Sequence, residues 1–226
     1  HKGSKEKDII RIGCDEAHVK GEFNSERGHR RVDIHLKKNK GKGIAIGRIP
    51  LKKLSELYGR IFIVMFSAED LDIIKRGPSE RRKFMDMELC QMDPIYVENL
   101  ISYNKILKER HELFKTLDES RNDREALLET LDIWDMQLAT YGSRIINSRR
   151  EFIDKLNPVL LDIHYEISGG KEKINLSYQP SCEPEDLYEE ILKNRERDSI
   201  YKQTSAGPHR DDFVFRNENR DMKIFG

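Results

Sequence analysis

Apolar and polar residues alternate along the first part of the chain, and through its middle the apolar ones recur every three or four positions. Ala17, Val19, Gly21 and Phe23 fall on one side and His18, Lys20 and Glu22 on the other, the period of a half-buried strand. Residues 31–36 repeat the pattern with Val32, Ile34 and Leu36 inward, and the polar stretch 24–28 predicts the turn of an antiparallel hairpin. A third strand is expected at 43–49, after the basic turn 37–42. Leu51, Leu54 and Leu57 have helical spacing in a short helix that Gly59 would end. Residues 61–66 carry no polar side chain before Ser67, so a fourth strand, buried on both faces, is expected there.

After Lys75, Arg76, Gly77 and Pro78 the period becomes helical. Ser79 is expected to cap a first long helix with Glu80 in its first turn, and Asp93-Pro94 to start a second. Val97, Leu100, Ile101, Leu107 and Phe114 form the apolar stripe of that second helix. Leu127, Leu131, Trp134, Leu138, Tyr141, Ile145, Phe152 and Leu156 mark a third and longer helix, its seam broken at Ser148. Separated by the polar turn 118–123, these two helices are expected to pack antiparallel as a hairpin arm rather than to offer a seam to a partner. Pro158 should kink or end the third helix. Gly169-Gly170 then mark a loop, 174–178 a strand and Pro184 the start of a helix reaching Lys193. Strands are expected at 213–215 and 222–225, on either side of the polar turn 217–220. The expected fold class is α+β, divided into a β-rich part at 1–76, a helical part at 77–168 and a strand-helix return at 169–226.

Composition narrows the function. The 226 residues suffice for one large domain or two modest ones, and 36% charged against 37% hydrophobic residues suits long exposed helices. Lysine plus arginine, at 41, equals aspartate plus glutamate, so nucleic acid would have to be bound by local patches rather than by a global field. Cys14, Cys90 and Cys182 lie far apart with no CxxC spacing, which indicates neither a disulfide framework nor a zinc site and suits a reducing cytoplasm. No run has the length of a membrane span and the first residues lack the apolar core of a signal peptide, so a cytoplasmic chain without a membrane partner is expected. Both ends look cut from something longer.

The densest chemistry lies in Gly207-Pro208-His209-Arg210-Asp211-Asp212. Glycine and proline set a tight turn that displays four polar residues at the start of a strand. An imidazole can orient water or phosphate, a guanidinium can clamp phosphate, and paired carboxylates can hold a divalent ion. The same residues also fit a structural turn in which Arg210 pairs with one of the aspartates. Ser67, Glu69 and Asp70 can coordinate hydrated magnesium or simply form a capped turn. Basic clusters occur at Lys37, Lys38, Lys40 and Lys42, at Arg76, Arg81, Arg82 and Lys83, and at Arg144, Arg149 and Arg150. The cluster at 76–83 is favoured for phosphate contact, because it adjoins a helix N-terminus. GxxxxGK[ST], GxGxxG and HExxH are all absent, so the chain cannot by itself cradle a nucleoside triphosphate in a phosphate loop.

Four segments, Phe66-Ser67-Ala68-Glu69-Asp70-Leu71, Gly77-Pro78-Ser79-Glu80-Arg81-Arg82-Lys83-Phe84-Met85-Asp86, Tyr103-Asn104-Lys105-Ile106-Leu107-Lys108-Glu109-Arg110 and Thr204-Ser205-Ala206-Gly207-Pro208-His209-Arg210-Asp211-Asp212, resemble in order and spacing the RecF family of DNA replication and repair proteins. The resemblance implies the antiparallel sheet part of an SMC-like, ABC-type ATPase head, lobe I, with an inserted all-helical lobe II holding the long helix pair. It further implies a weak DNA-dependent ATPase that forms an ATP-dependent homodimer around ATP and Mg2+. Such a protein binds gapped DNA at single-strand/double-strand junctions and works with RecO and RecR to load recombinase in recombinational repair and the SOS response.

The family's Walker A loop would precede His1, and its signature and Walker B elements would follow Gly226. An internal segment is therefore expected, inactive alone and without bound cofactor, with no catalytic residue and no metal ligand of its own. By the same resemblance 67–70 takes the place of the Q-loop, although it holds no glutamine. Ser67, Glu69, Asp70, His209, Arg210, Asp211 and Asp212 are the nucleotide- or metal-proximal candidates. Arg76, Arg81, Arg82, Lys83, Arg149 and Arg150 are the DNA-binding candidates. Two rivals remain. One is a self-contained metal-dependent phosphoesterase built on His209, Asp211, Asp212 and Glu69; the other is a non-enzymatic helical adaptor that binds a protein around Trp134.

Overall fold

In the computed structural model, which describes residues 6–25, 28–65, 67, 70, 72–119, 124–217 and 220–222, the alternating segments become an antiparallel ladder. A short helix α1 (Glu6–Ile9) precedes β1 (Glu16–Ser25), β2 (Gly28–Lys37), β3 (Lys40–Ile46) and β4 (Ile49–Pro50), which pair in that order. The register sets Ala17 opposite Leu36, Val19 opposite Ile34 and Gly21 opposite Val32, so the expected inward residues share one face. Leu36, Ile44, Ile46 and Ile10 are buried. An irregularity between His35 and Lys37 shifts the β2–β3 register at the basic turn. Leu54–Leu57 forms the expected short helix, as one 3-10 turn. These residues make up a first compact unit, His1–Ile61.

The second unit, Phe62–Gly226, begins with a departure from expectation. Residues 62–65 are neither a strand nor buried: Phe62 is 64% exposed and Val64 94%. No described strand lies alongside to take their backbone groups, and the Ile63 N–H donates instead to Gln91 Oε1 at 2.7 Å. Phe66 and Leu71 lie outside the described residues.

The helical part follows as α2 (Asp72–Lys75), α3 (Pro78–Met92), α4 (Pro94–Glu119) and α5 (Arg124–Ser168). Gly77, not Ser79, is the N-cap of α3, because Pro78 has a preset φ and no N–H to orphan and so takes the first helical position. The Asp93 side chain accepts the Ile95 N–H at 2.8 Å and starts α4 as expected. Helices α4 and α5 run antiparallel. Tyr96 meets Arg149 and Arg110 meets Asp135, while a Cβ on Gly142 would lie 3.2 Å from the Tyr103 ring. Partners thus advance by seven residues on one helix as they retreat by seven on the other, the period of two helices sharing one seam.

Helix α5, 45 residues in all, does not stop at Pro158 but continues to Ser168. Asn157 helps to hold this region in place. Its amide accepts the Leu176 N–H at 2.7 Å and donates to the Leu176 carbonyl at 3.0 Å, acting as a surrogate strand partner for β5 (Ile174–Gln179). Then come α6 (Leu187–Lys193), α7 (Arg195–Tyr201), β6 (Asp212–Asn217) and β7 (Arg220–Asp221), with β6 between β5 and β7 in an antiparallel sheet. Helix α7 was hidden from sequence reading because Arg195, Glu196, Arg197 and Asp198 leave it almost no apolar stripe. Lys223 and the rest of the strand expected at 222–225 lie outside the described residues.

Met85, Tyr96, Tyr103, Leu138, Ile145 and Ile153 share one core with Leu176, Leu187, Ile191 and Phe213. The expected parts 77–168 and 169–226 are therefore packed as one body. Gly142 allows a close approach, since a Cβ there would meet Leu187 Cδ2 at 2.6 Å. No described helix is long and apolar enough to cross a membrane. Asn157→Leu is expected to lower the unfolding free energy by about 1–3 kcal/mol, the cost of stranding the Leu176 N–H and carbonyl. Urea denaturation followed by circular dichroism checks it; an unchanged midpoint would mean that the amide clamp contributes nothing.

Candidate functional site

The turn at 207–212 is assembled by its neighbours. Gly207 has a φ of 125°, a backbone conformation that disfavours a side chain, and a Cβ there would run into the Tyr103 hydroxyl. Ser181 Oγ receives the Gly207 N–H at 2.8 Å and donates to the Gly207 carbonyl at 3.1 Å, while the Arg210 N–H closes the turn onto that carbonyl at 2.8 Å.

From this turn four side chains diverge. His209 holds the Tyr103 hydroxyl at Nδ1, 2.6 Å away, and the Thr204 carbonyl at Nε2, 2.9 Å away. A carbonyl can only accept, so Nε2 carries the proton and Nδ1 accepts from the tyrosine. Arg210 donates through Nε and Nη2 to the same carbonyl, at 3.0 and 2.8 Å. Asp211 is fully buried; it accepts from the Ser181 N–H at 2.8 Å, from the Tyr178 hydroxyl and from Arg149 at 3.4 Å. Asp212 takes both nitrogens of the Arg81 fork, at 2.7 and 2.8 Å.

The basic candidates separate in the same way. Arg81 is buried, and its third nitrogen donates to the Arg76 and Ile73 carbonyls at 2.6 and 3.2 Å. Arg149, 2% exposed, donates to the Tyr96 hydroxyl, the Pro208 carbonyl and Asp86 at 3.0, 2.6 and 2.7 Å. Burial opposes its charge, but the Tyr96 and Asp86 oxygens more than offset that and keep it protonated. These two guanidiniums are spent on interior oxygens and do not face solvent. Arg82 is only half-buried and spends one nitrogen on the Asp211 carbonyl at 2.8 Å. Burial and the nearby Arg149 charge push its pKa down. Lys83 is exposed, and Arg150 pairs with Glu183 at 2.5 Å on the surface.

Ser67 and Asp70 form the capped turn. The Ser67 N–H and hydroxyl both donate to Asp70 Oδ2, at 2.7 and 2.9 Å, so that oxygen is occupied locally. Glu69 lies outside the described residues. No group of three or more described His, Cys, Asp or Glu side chains is placed to hold a metal ion.

Sequence reading missed the second half of this assembly. Arg110, wholly buried, binds Asp135 at 2.6 Å, Asp198 at 2.9 Å and Thr204 Oγ1 at 2.7 Å, and its carbon lies 4.5 Å from the centre of the Phe114 ring. His111 Nε2 receives the Thr204 N–H at 3.0 Å. Every polar group of Thr204 is therefore occupied. A signal was present: Arg110 sits three residues after Leu107 and four before Phe114, squarely on an apolar stripe, where a charge requires a buried partner.

Over 226 residues the chain is 50% identical to the DNA replication and repair protein RecF of Lachnospira eligens, covering 100% of this chain and 62% of that protein. The RecF proteins of Agathobacter rectalis and Lachnoclostridium phytofermentans are 49% and 44% identical, with 61% and 62% of their lengths covered. Among solved structures, the recombination mediator protein RecF-ATP in the RecFOR pathway superposes with a TM-score of 0.89 at 31% identity, over 99% of this chain and 61% of that one. The RecF-ATPrS structure gives 0.86. No family model matches. The chain spans about 62% of the length of these curated relatives.

Two outcomes test the assembly. Arg149→Leu strands Asp211 and Asp86 and is expected to cost about 3–5 kcal/mol of stability, read from chemical denaturation. The His209 imidazole, desolvated by burial, has its pKa pushed down from 6.5 to about 4. The unfolded chain then binds more protons between pH 6.5 and 4, so this stability is present in full above pH 6.5 and is lost as pH falls through that window. His111, shifted the same way by burial, adds in the same direction. Wild type should lose about 2 kcal/mol through His209 between pH 7 and 5. His209→Gln should remove that share of the slope, and equal slopes would refute the assignment.

Proposed function

The chain belongs to the RecF family of DNA replication and repair proteins, and from that premise we propose that it forms the sheet-and-helix body of a nucleotide-operated DNA-repair protein. The intact protein binds ATP and Mg2+, dimerises with ATP, engages single-strand/double-strand junctions and acts with RecO and RecR in the cytoplasm. The observation that carries this reading is the likeness over the whole chain, in sequence and fold together, to RecF proteins solved with ATP and placed in the RecFOR pathway.

The residues present do not fit a triphosphate by themselves. The sequence has no phosphate loop, and Asp211, Asp212, Arg81 and Arg149 have their polar atoms committed to one another or to neighbouring oxygens and an amide N–H. No catalytic step is therefore assigned to this chain. The same geometry disfavours a self-contained phosphoesterase, which needs His209, Asp211 and Asp212 to converge on one ion, whereas they point to Thr204, Arg149 and Arg81. An adaptor built around Trp134 is disfavoured because that side chain packs against both apolar clusters of the helix pair.

For DNA the supporting feature is Arg82 beside Lys83. Among the described residues Arg82 has only a backbone carbonyl as its hydrogen-bonding partner, and it carries a charge that a phosphate would relieve. Arg76, Arg150 and the neighbouring turns can extend the contact, while Arg81 and Arg149 shape it from within.

The 226-residue chain alone is expected to show no magnesium-dependent ATP turnover in a phosphate-release assay; robust hydrolysis would overturn the placement of the ATP machinery outside it. In the intact protein, Arg82→Glu with Lys83→Glu should weaken binding to gapped DNA irrespective of base sequence. The slope of log affinity against log salt should shrink by about one unit per phosphate contact removed. An unchanged slope would exclude this face.

A further inference from the structure

Helix α7 and the residues after it enclose a notch of about 410 Å3, lined by Arg197, Asp198, Tyr201, Gln203, Ser205 and Arg210. Its chemistry is dominated by donors. The single carboxylate in the lining is already engaged, Asp198 Oδ2 by Arg110 at 2.9 Å and Oδ1 by the Ser205 N–H at 3.0 Å. Arg210 is anchored through Nε and Nη2 to Thr204 and Gln203, which leaves Nη1 with no partner among the described residues. Ser205 Oγ is buried and likewise has no hydrogen-bond partner in the described structure. Arg197 is exposed and makes no ion pair with a described residue, and Tyr201 presents an aromatic ring that is 70% exposed.

Two guanidiniums and an open aromatic ring make up the set that recognises a phosphate carrying a flat base. The volume lies within the ordinary range of small-ligand sites. One of the two guanidiniums is held rigidly by a carbonyl, so little freedom is lost when it meets an anion. We propose that this notch binds one nucleotide unit, its phosphate between Arg197 and Arg210 and its base against Tyr201. The unit is either part of a single strand or a free nucleotide. For the single strand this rests on the proposed DNA-binding function and adds a subsite to it, distinct in its residues from Arg82 and Lys83.

The test uses the intact protein and a fluorescein-labelled oligothymidylate, read by anisotropy. Arg197→Glu and Tyr201→Ala, both at exposed side chains without a hydrogen bond or ion pair to a described residue, should each weaken binding about tenfold. If both bind like wild type while Arg82→Glu/Lys83→Glu binds more weakly, the notch is excluded as a single-strand subsite and the DNA reading survives. If none of the variants changes affinity, both fall.

A second measurement does not depend on stability. Phenylglyoxal modification of Arg197, mapped by mass spectrometry, should be suppressed by ligand. Protection by thymidine 5′-monophosphate identifies a free nucleotide as sufficient, and protection by the oligonucleotide alone identifies the strand. Protection by neither overturns the proposal.

Discussion

A guanidinium taken out of water must find oxygens on every side, and Arg149 finds them on four different segments. Asp86 comes from α3, Tyr96 from α4, Pro208 from the turn and Asp211 from the entry to β6. Removing any one would leave a buried charge short of a partner, a larger penalty than the net worth of the contact itself. The network therefore specifies arrangement more than it adds stability. An apolar residue of similar volume, with its partners replaced as well, could hold the helices together but would not dictate which residue of α4 faces which residue of α5.

The second buried arginine extends the same logic along the helix pair. Arg110 lies fourteen residues from Tyr96, and Asp135 fourteen from Arg149, so the two polar layers stand two heptads apart on one seam. Between them Tyr103 crosses Gly142, the position on α5 where a side chain would collide with Leu187. A slip of one turn would separate Arg110 from Asp135 and Arg149 from the Tyr96 hydroxyl at once. That cost explains how a pair with many exposed apolar residues, Ile133 and Met136 among them, still holds one register. The layers also reach beyond the pair: Arg110 gathers Asp198 and Thr204, and Asp135 gathers Arg195, so α7 and the following turn are seated by the same charges.

What the sequence revealed follows from range. The pairing of β1 with β2, the Asp93-Pro94 start and the three-and-four stripe of α5 are set within a turn or two of chain and appear as read, although Val19 on the expected inward face of β1 is 46% exposed. Errors arose where a distant partner decided the outcome. Pro158 is expected to kink or end α5, and the helix does not end there: packing on β5 and the Asn157 clamp carry it through to Ser168. The apolar run at 62–65 reads as a buried strand only if another strand lies beside it, and none does among the described residues. In the turn, Arg210 was weighed against an adjacent aspartate, yet it bonds Thr204 while Asp212 reaches 131 positions back to Arg81. Local composition identifies a charged residue; only the fold assigns its counter-ion.

The dense chemistry of 207–212 is thus accounted for by assembly. A general base or metal ligand needs a lone pair that is free when substrate arrives. His209 has given Nδ1 to a tyrosine and its proton to a carbonyl, and burial holds the ring neutral. Asp211 accepts from three donors and Asp212 from a two-pronged guanidinium. Recruiting either carboxylate to catalysis would break an ion pair whose arginine is itself buried, at a cost of several kcal/mol per event. Arg82 and Arg210 differ in kind. Each is anchored through part of its fork to a backbone carbonyl and retains outward donors. That division, acids turned inward and partly occupied arginines turned outward, suits the proposed contact with an anion and leaves no free carboxylate in the motif for cleaving one.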